Sequence, residues 1–67
     1  MKLDNPIHEI REQMELRGGS FVQQLSKLMR YADKENLACL LAAFPRIMET
    51  YDGFASLEAR ARLENIH

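Results

Sequence analysis

Chain-breaking residues recur at intervals that leave room for short helices and for little else. Asp4-Asn5-Pro6 opens the first interval, Gly18-Gly19 closes it, Asp33 to Asn36 interrupts the next stretch and Pro45 ends the third. Within each interval the apolar residues recur every three or four positions, the period of one helix face. Ile7, Ile10 and Met14 do so in the first. Asp4 and Asn5 offer an N-cap, with Pro6 at the first helical position, where its missing N–H costs nothing. The Gly18-Gly19 pair suits the left-handed residue that ends many helices.

Ser20-Phe21-Val22-Gln23 reads as a capping box, in which the Ser20 hydroxyl and the Gln23 side chain satisfy each other's backbone N–H groups. The helix it opens carries Phe21, Leu25, Leu28 and Ala32 as its apolar stripe, widened by Val22 and Met29. Asp33 is placed to cap a third helix, with Glu35 in its first turn near the positive end of the helix dipole. Leu37, Leu40, Leu41 and Phe44 form its apolar face, and Pro45 stops it by disfavouring a helical residue before itself.

Pro45 can also begin the last helical segment. Ile47, Met48, Tyr51, Phe54 and Ala55 continue the helical spacing, and Ala59, Leu63 and Ile66 carry it on, with Glu58 and Arg62 as a favourable i,i+4 pair. Gly53 costs about 1 kcal/mol inside a helix relative to alanine. The sequence therefore predicts a break or kink at Asp52-Gly53. No strand alternation and no internal repeat occurs. The fold class expected is all-α: one domain over residues 1–67, a small bundle of three to five short helices completed by homodimerisation.

Homodimerisation enters by elimination. A chain of 67 residues gains only about 3–5 kcal/mol from its core, and small domains commonly add a disulfide, a metal or a partner subunit. Cys39 is the single cysteine, and the two histidines lie near opposite ends. A second subunit is the route left.

Nine Lys+Arg against ten Asp+Glu give a net charge of −1, too weak a field to favour nucleic acid or an anionic membrane. The longest apolar run, Leu37 to Phe44, has eight residues, whereas a membrane-spanning helix needs about 20. The first residues, Met1-Lys2-Leu3-Asp4-Asn5, lack the apolar stretch of a signal peptide. With one free thiol, these features lead to the expectation of a cytoplasmic protein without membrane attachment.

No constellation points to catalysis, and no cofactor or metal is expected. His8-Glu9-Ile10-Arg11-Glu12 has Glu12 where a metalloprotease helix carries its second histidine. Cys39 lies within the apolar run, with no local group to lower its pKa, and reads as a buried structural cysteine. Gly18-Gly19 precedes a helix N-terminus without the lysine of a phosphate-binding loop. Glu9, Glu12 and Glu15, interspersed with Arg11 and Arg17, read as a solvated face. The alternative to a protein-binding role is a small helix-turn-helix regulator, built on the second and third helices. Its recognition helix would run Lys34-Glu35-Asn36 into Leu37-Ala38-Cys39-Leu40-Leu41-Ala42-Ala43, which offers almost nothing to base edges or phosphates.

Gly18-Gly19-Ser20-Phe21-Val22-Gln23 with Leu25, then Ala32-Asp33 and Asn36, then Ala42-Ala43-Phe44-Pro45 and Tyr51, resemble short proteins encoded in bacteriophage and prophage early regions. Among these the chain is similar to the phage quorum-sensing anti-activators, small helical homodimers that inhibit a LuxR-type host regulator by binding it. The resemblance runs from Gly18 to Tyr51 and consists of caps, core positions and a proline break. It implies a helical fold and, for function, inhibition of a host protein by occlusion. It carries over no functional residue.

The candidate partner-binding residues come instead from the last segment. Tyr51, Phe54, Leu57, Leu63 and Ile66 do not share one narrow stripe, and a helix apolar on several sides wants more than one neighbour. Aromatic and arginine side chains most often carry interface energy, which adds Arg60. The six candidates are Tyr51, Phe54, Leu57, Arg60, Leu63 and Ile66.

Overall fold

The computed structural model describes residues 2–64. Four helices follow in order: α1 (Ile7–Arg17), α2 (Ser20–Tyr31), α3 (Lys34–Ala43) and α4 (Pro45–Glu64). No strand occurs among the described residues. The architecture is all-α, a bundle of four helices. α1 packs along α4 on one side and against α2 on the other, while α3 meets α4 lightly.

The core joins Ile10 and Met14 of α1, Leu25 and Met29 of α2 and Met48 of α4. Three of these five are methionines, whose unbranched thioethers fill the irregular gaps left where short helices cross. Leu37, Leu40, Leu41 and Phe44 of α3 are half-buried against this cluster, as are Ile47 and Tyr51 of α4. The buried side of α2 is Val22, Leu25, Ser26 and Met29; Phe21 and Leu28, expected in the apolar stripe, are exposed. The stripe is rotated because α1 claims α2 through Ser26, whose hydroxyl donates to Glu15 and to the Arg11 carbonyl, and through the core contact of Met29.

The helix ends differ from the sequence expectation in three places. Pro6, not Asn5, is the residue preceding α1, and its carbonyl accepts the N–H groups of Glu9 and Ile10. Asp4 and Asn5 are engaged elsewhere, by Asp52. Gly18 is extended, with φ −82°, rather than left-handed. Glycine is required there by crowding: an added Cβ would lie 2.5 Å from both the Met14 carbonyl oxygen and Val22 Cγ1. The capping box does not form. Ser20 is already helical, and the Gln23 amide turns back to donate to the carbonyl oxygens of Gly18 at 3.0 Å and Glu15 at 3.4 Å. It therefore closes the end of α1 instead of the start of α2. Asp33 does cap α3, accepting the Asn36 N–H at 2.8 Å.

The break expected at Asp52-Gly53 is absent, and α4 runs unbroken through both residues. Asp52 is buried and bonded across to the chain before α1, whereas Gly53 faces open solvent. Packing along α1 thus outweighs the roughly 1 kcal/mol that one glycine costs a helix. Cys39 is exposed rather than buried. α3 has no buried residue despite its apolar run, because it lies at the edge of the bundle with one side open.

Candidate interaction surface

Polar contacts set how the helices present their surfaces. Asp52 of α4 accepts the N–H groups of Asp4 at 3.0 Å and Asn5 at 3.0 Å, and the Asn5 side-chain amide at 2.9 Å. Burial alone would push the Asp52 carboxyl up, but the backbone and amide donors of Asp4 and Asn5 together hold it below its ordinary value. The Asn5 amide also donates to the Asp52 carbonyl and to Ser56 Oγ. This cluster ties the chain before α1 to the middle of α4.

A second set of polar contacts joins the far halves of α1 and α4. Gln13, buried, donates through Nε2 to Glu58 and accepts from Arg17 Nε at 2.8 Å. Glu58 in turn accepts from Arg62 at 3.1 Å, the i,i+4 pair read from the sequence. Between α1 and α2, the buried Ser26 hydroxyl donates to Glu15 at 2.7 Å, and Arg11 Nε donates to the Ser26 carbonyl at 3.1 Å. Among the described residues no buried side-chain polar atom lacks a partner. Glu15 and Glu58 therefore serve in helix pairing as well as solvation.

The six candidate residues divide. Tyr51 is half-buried against the core, and Phe54 is half-buried with its ring 5.7 Å from that of Tyr51. The Arg17 guanidinium lies 4.7 Å from the Phe54 ring centroid, a cation–π contact. Leu57 and Leu63 are 57% and 71% exposed, and Arg60 is exposed. Ile66 lies outside the described residues. The structure thus leaves Leu57, Arg60 and Leu63 free at the end of α4, and gives Tyr51 and Phe54 structural work.

A second apolar surface was not read from the sequence. On α2, Phe21, Leu28 and Tyr31 are 61%, 55% and 78% exposed. Beside them a groove between α2 and α3 is lined by Leu28, Tyr31, Ala32, Asn36, Cys39 and Leu40. The signal lay in two overlapping helical stripes on α2, Phe21-Gln24-Leu28-Tyr31 beside Val22-Leu25-Met29; only one can face the core.

Among the described residues no group of three or more His, Cys, Asp or Glu is placed to hold a metal ion. No helix among them is long and apolar enough to cross a membrane. No protein-family model matches the sequence, and neither a curated protein nor a solved structure matches it.

Proposed function

We propose that this chain is a small helical interaction protein that acts as a homodimer, binding a host protein in the cytoplasm and inhibiting it by occlusion. The resemblance of residues 18–51 to phage-encoded proteins makes a transcriptional activator of the LuxR type the candidate target. The observation that carries the reading is the amount of large apolar surface left open on so small a fold. Leu16, Phe21, Leu28, Tyr31, Leu57 and Leu63 are each more than half exposed. Among the described residues six apolar side chains are buried. Apolar side chains gathered on one face, as Phe21, Leu28 and Tyr31 are on α2, mark binding sites where singly scattered ones do not.

The end of α4 is the part assigned to the host protein. Leu57 and Leu63 supply apolar contacts, and Arg60 supplies a guanidinium at the rim, where charge fixes register more than affinity. The test is retention from nuclease-treated bacterial lysate on the immobilised protein. One stoichiometric host protein, lost in a Leu57→Asp/Leu63→Asp variant of unchanged helicity, supports occlusion. Retention of material only when nuclease is omitted would overturn it in favour of nucleic-acid binding.

A further inference from the structure

Phe21, Gln24, Leu28 and Tyr31 follow one another along α2 at spacings of three, four and three, and all four are exposed. This is the spacing of a helix seam that packs against another helix. The α2–α3 groove runs beside this ridge and shares Leu28 and Tyr31 with it. At the other end of the ridge, Phe21 meets Phe44 at the end of α3 edge-on, with ring centroids 5.7 Å apart. Ridge and groove therefore form one continuous face.

We propose that this face is the contact between two copies of the chain, each laying its α2 ridge into the other's α2–α3 groove. The inference deepens the homodimer part of the reading above and rests on it. A two-fold dimer uses the same patch on both subunits, so the patch must hold a protrusion and a recess that fit each other. Here the two adjoin, as ridge-into-groove packing of helices requires. The ridge ends in an aromatic ring at both ends. An antiparallel copy would set Phe21 of one chain against Tyr31 of the other twice, with Gln24 opposite Leu28 between them. Gln24 is the one polar seam residue, a device that fixes register.

Size and charge agree with this occupant. With about 150–250 Å² for a whole aromatic side chain, the exposed fractions of Phe21 and Tyr31 alone leave roughly 300 Å² uncovered. Leu28, Gln24 and the groove lining bring the face to roughly 600 Å², close to the roughly 800 Å² per partner of a stable interface. The four ridge residues and the groove lining are uncharged; Lys27 lies beside Gln24, Leu28 and Tyr31, and the Arg30 guanidinium 5.6 Å from the Tyr31 ring centroid, so pairing must leave these two cations at the solvated rim.

The experiment is sedimentation equilibrium of the full chain over a wide concentration range, with circular dichroism alongside. The wild type should show twice the chain mass. Leu28→Lys/Tyr31→Glu should be monomeric with unchanged helicity, because both side chains are already exposed. Gln24→Lys, which removes no apolar group, should weaken the dimer about tenfold or more by setting charge into the seam. A dimer that tolerates all three substitutions overturns this face while leaving homodimerisation intact. A wild type that is monomeric throughout overturns both. A wild-type dimer that retains no host protein would instead count against the inhibitory reading alone.

Discussion

Asn5 holds Asp52 from two directions: its backbone N–H donates to Asp52 Oδ1 at 3.0 Å, and its side-chain amide donates to the same oxygen at 2.9 Å. With the Asp4 N–H on the second oxygen at 3.0 Å, the buried carboxylate has three donors around it. Because α4 supplies the acceptor and the chain before α1 supplies every donor, this cluster fixes the register of the two longest-packed helices.

Asp52→Asn should therefore destabilise the fold by about 1–3 kcal/mol at neutral pH, since it replaces a charged acceptor and leaves buried donors unmatched. Urea titration followed by circular dichroism measures it. A change near zero would mean that the cluster does not hold α1 to α4.

The same carboxylate makes stability depend on acid. Its folded pKa lies below the ordinary 3.8. The stability it contributes is complete above the unfolded value and is lost as pH falls through the lower folded value. Urea midpoints should hold steady from neutral pH down to about pH 5 as far as this group is concerned, then fall below about pH 4. Asp52→Asn should flatten that acid limb. A limb unchanged in the variant would assign it to other carboxylates.

Gly53 and Gly18 should respond in opposite directions to alanine. Gly53 sits inside α4 with nothing within 4 Å of an added Cβ, and no glycine of the chain has positive φ. Gly53→Ala should stabilise by about 0.5–1 kcal/mol, by helix propensity and a less free unfolded chain. At Gly18 an added Cβ would approach the Met14 carbonyl oxygen to 2.5 Å. Backbone cannot yield as a side-chain tip can, so Gly18→Ala should destabilise by about 1–3 kcal/mol. Thermal melts decide both; destabilisation by Gly53→Ala would mean that α4 breaks at Gly53, where the structure shows it unbroken.

These glycines also show what the sequence made legible and what it did not. Gly18, Asp33 and Pro45 mark true helix ends, and their positions follow from local chemistry. Gly53 misleads because the force that keeps α4 unbroken is tertiary: Asp52 beside it is bonded to residues 47 and 48 positions away. Asp4 and Asn5 mislead for the same reason, their N–H groups being taken by Asp52 rather than by α1. On α2 the expected stripe mixed buried Leu25 with exposed Phe21 and Leu28, because two stripes compete there and the isolated sequence does not say which neighbour arrives first. Cys39 sits in the longest apolar run yet is exposed, since a run apolar on every side must leave one side open in a helix at the edge of the bundle. Among the candidate contacts, Leu57, Arg60 and Leu63 are free on the surface, while Tyr51 and Phe54 are held by the core and by Arg17.

That division gives a separable prediction for α4. Phe54→Ala removes a ring that packs at a tilt on Tyr51 and is covered by the Arg17 guanidinium, and should cost about 1–2 kcal/mol of stability. Leu63→Ala, at a side chain 71% exposed, should change stability by less than about 0.5 kcal/mol. Paired denaturation curves check this; an equal loss in both variants would place Leu63 in a buried contact, and the end of α4 would no longer be free for a host protein.

Cys39 reports on the proposed dimer without any substitution. It is the chain's one cysteine, it is exposed, and it lines the α2–α3 groove. In a free subunit a thiol-reactive dye reaches it without hindrance. In the dimer the second copy's α2 lies across the groove, so modification must wait for dissociation. The initial rate per thiol should therefore fall as protein concentration rises through the dissociation constant, and Leu28→Lys/Tyr31→Glu should abolish that dependence. A rate independent of concentration, in a sample that sedimentation shows to be dimeric, would mean that the subunits meet elsewhere and that the groove stays open in the dimer.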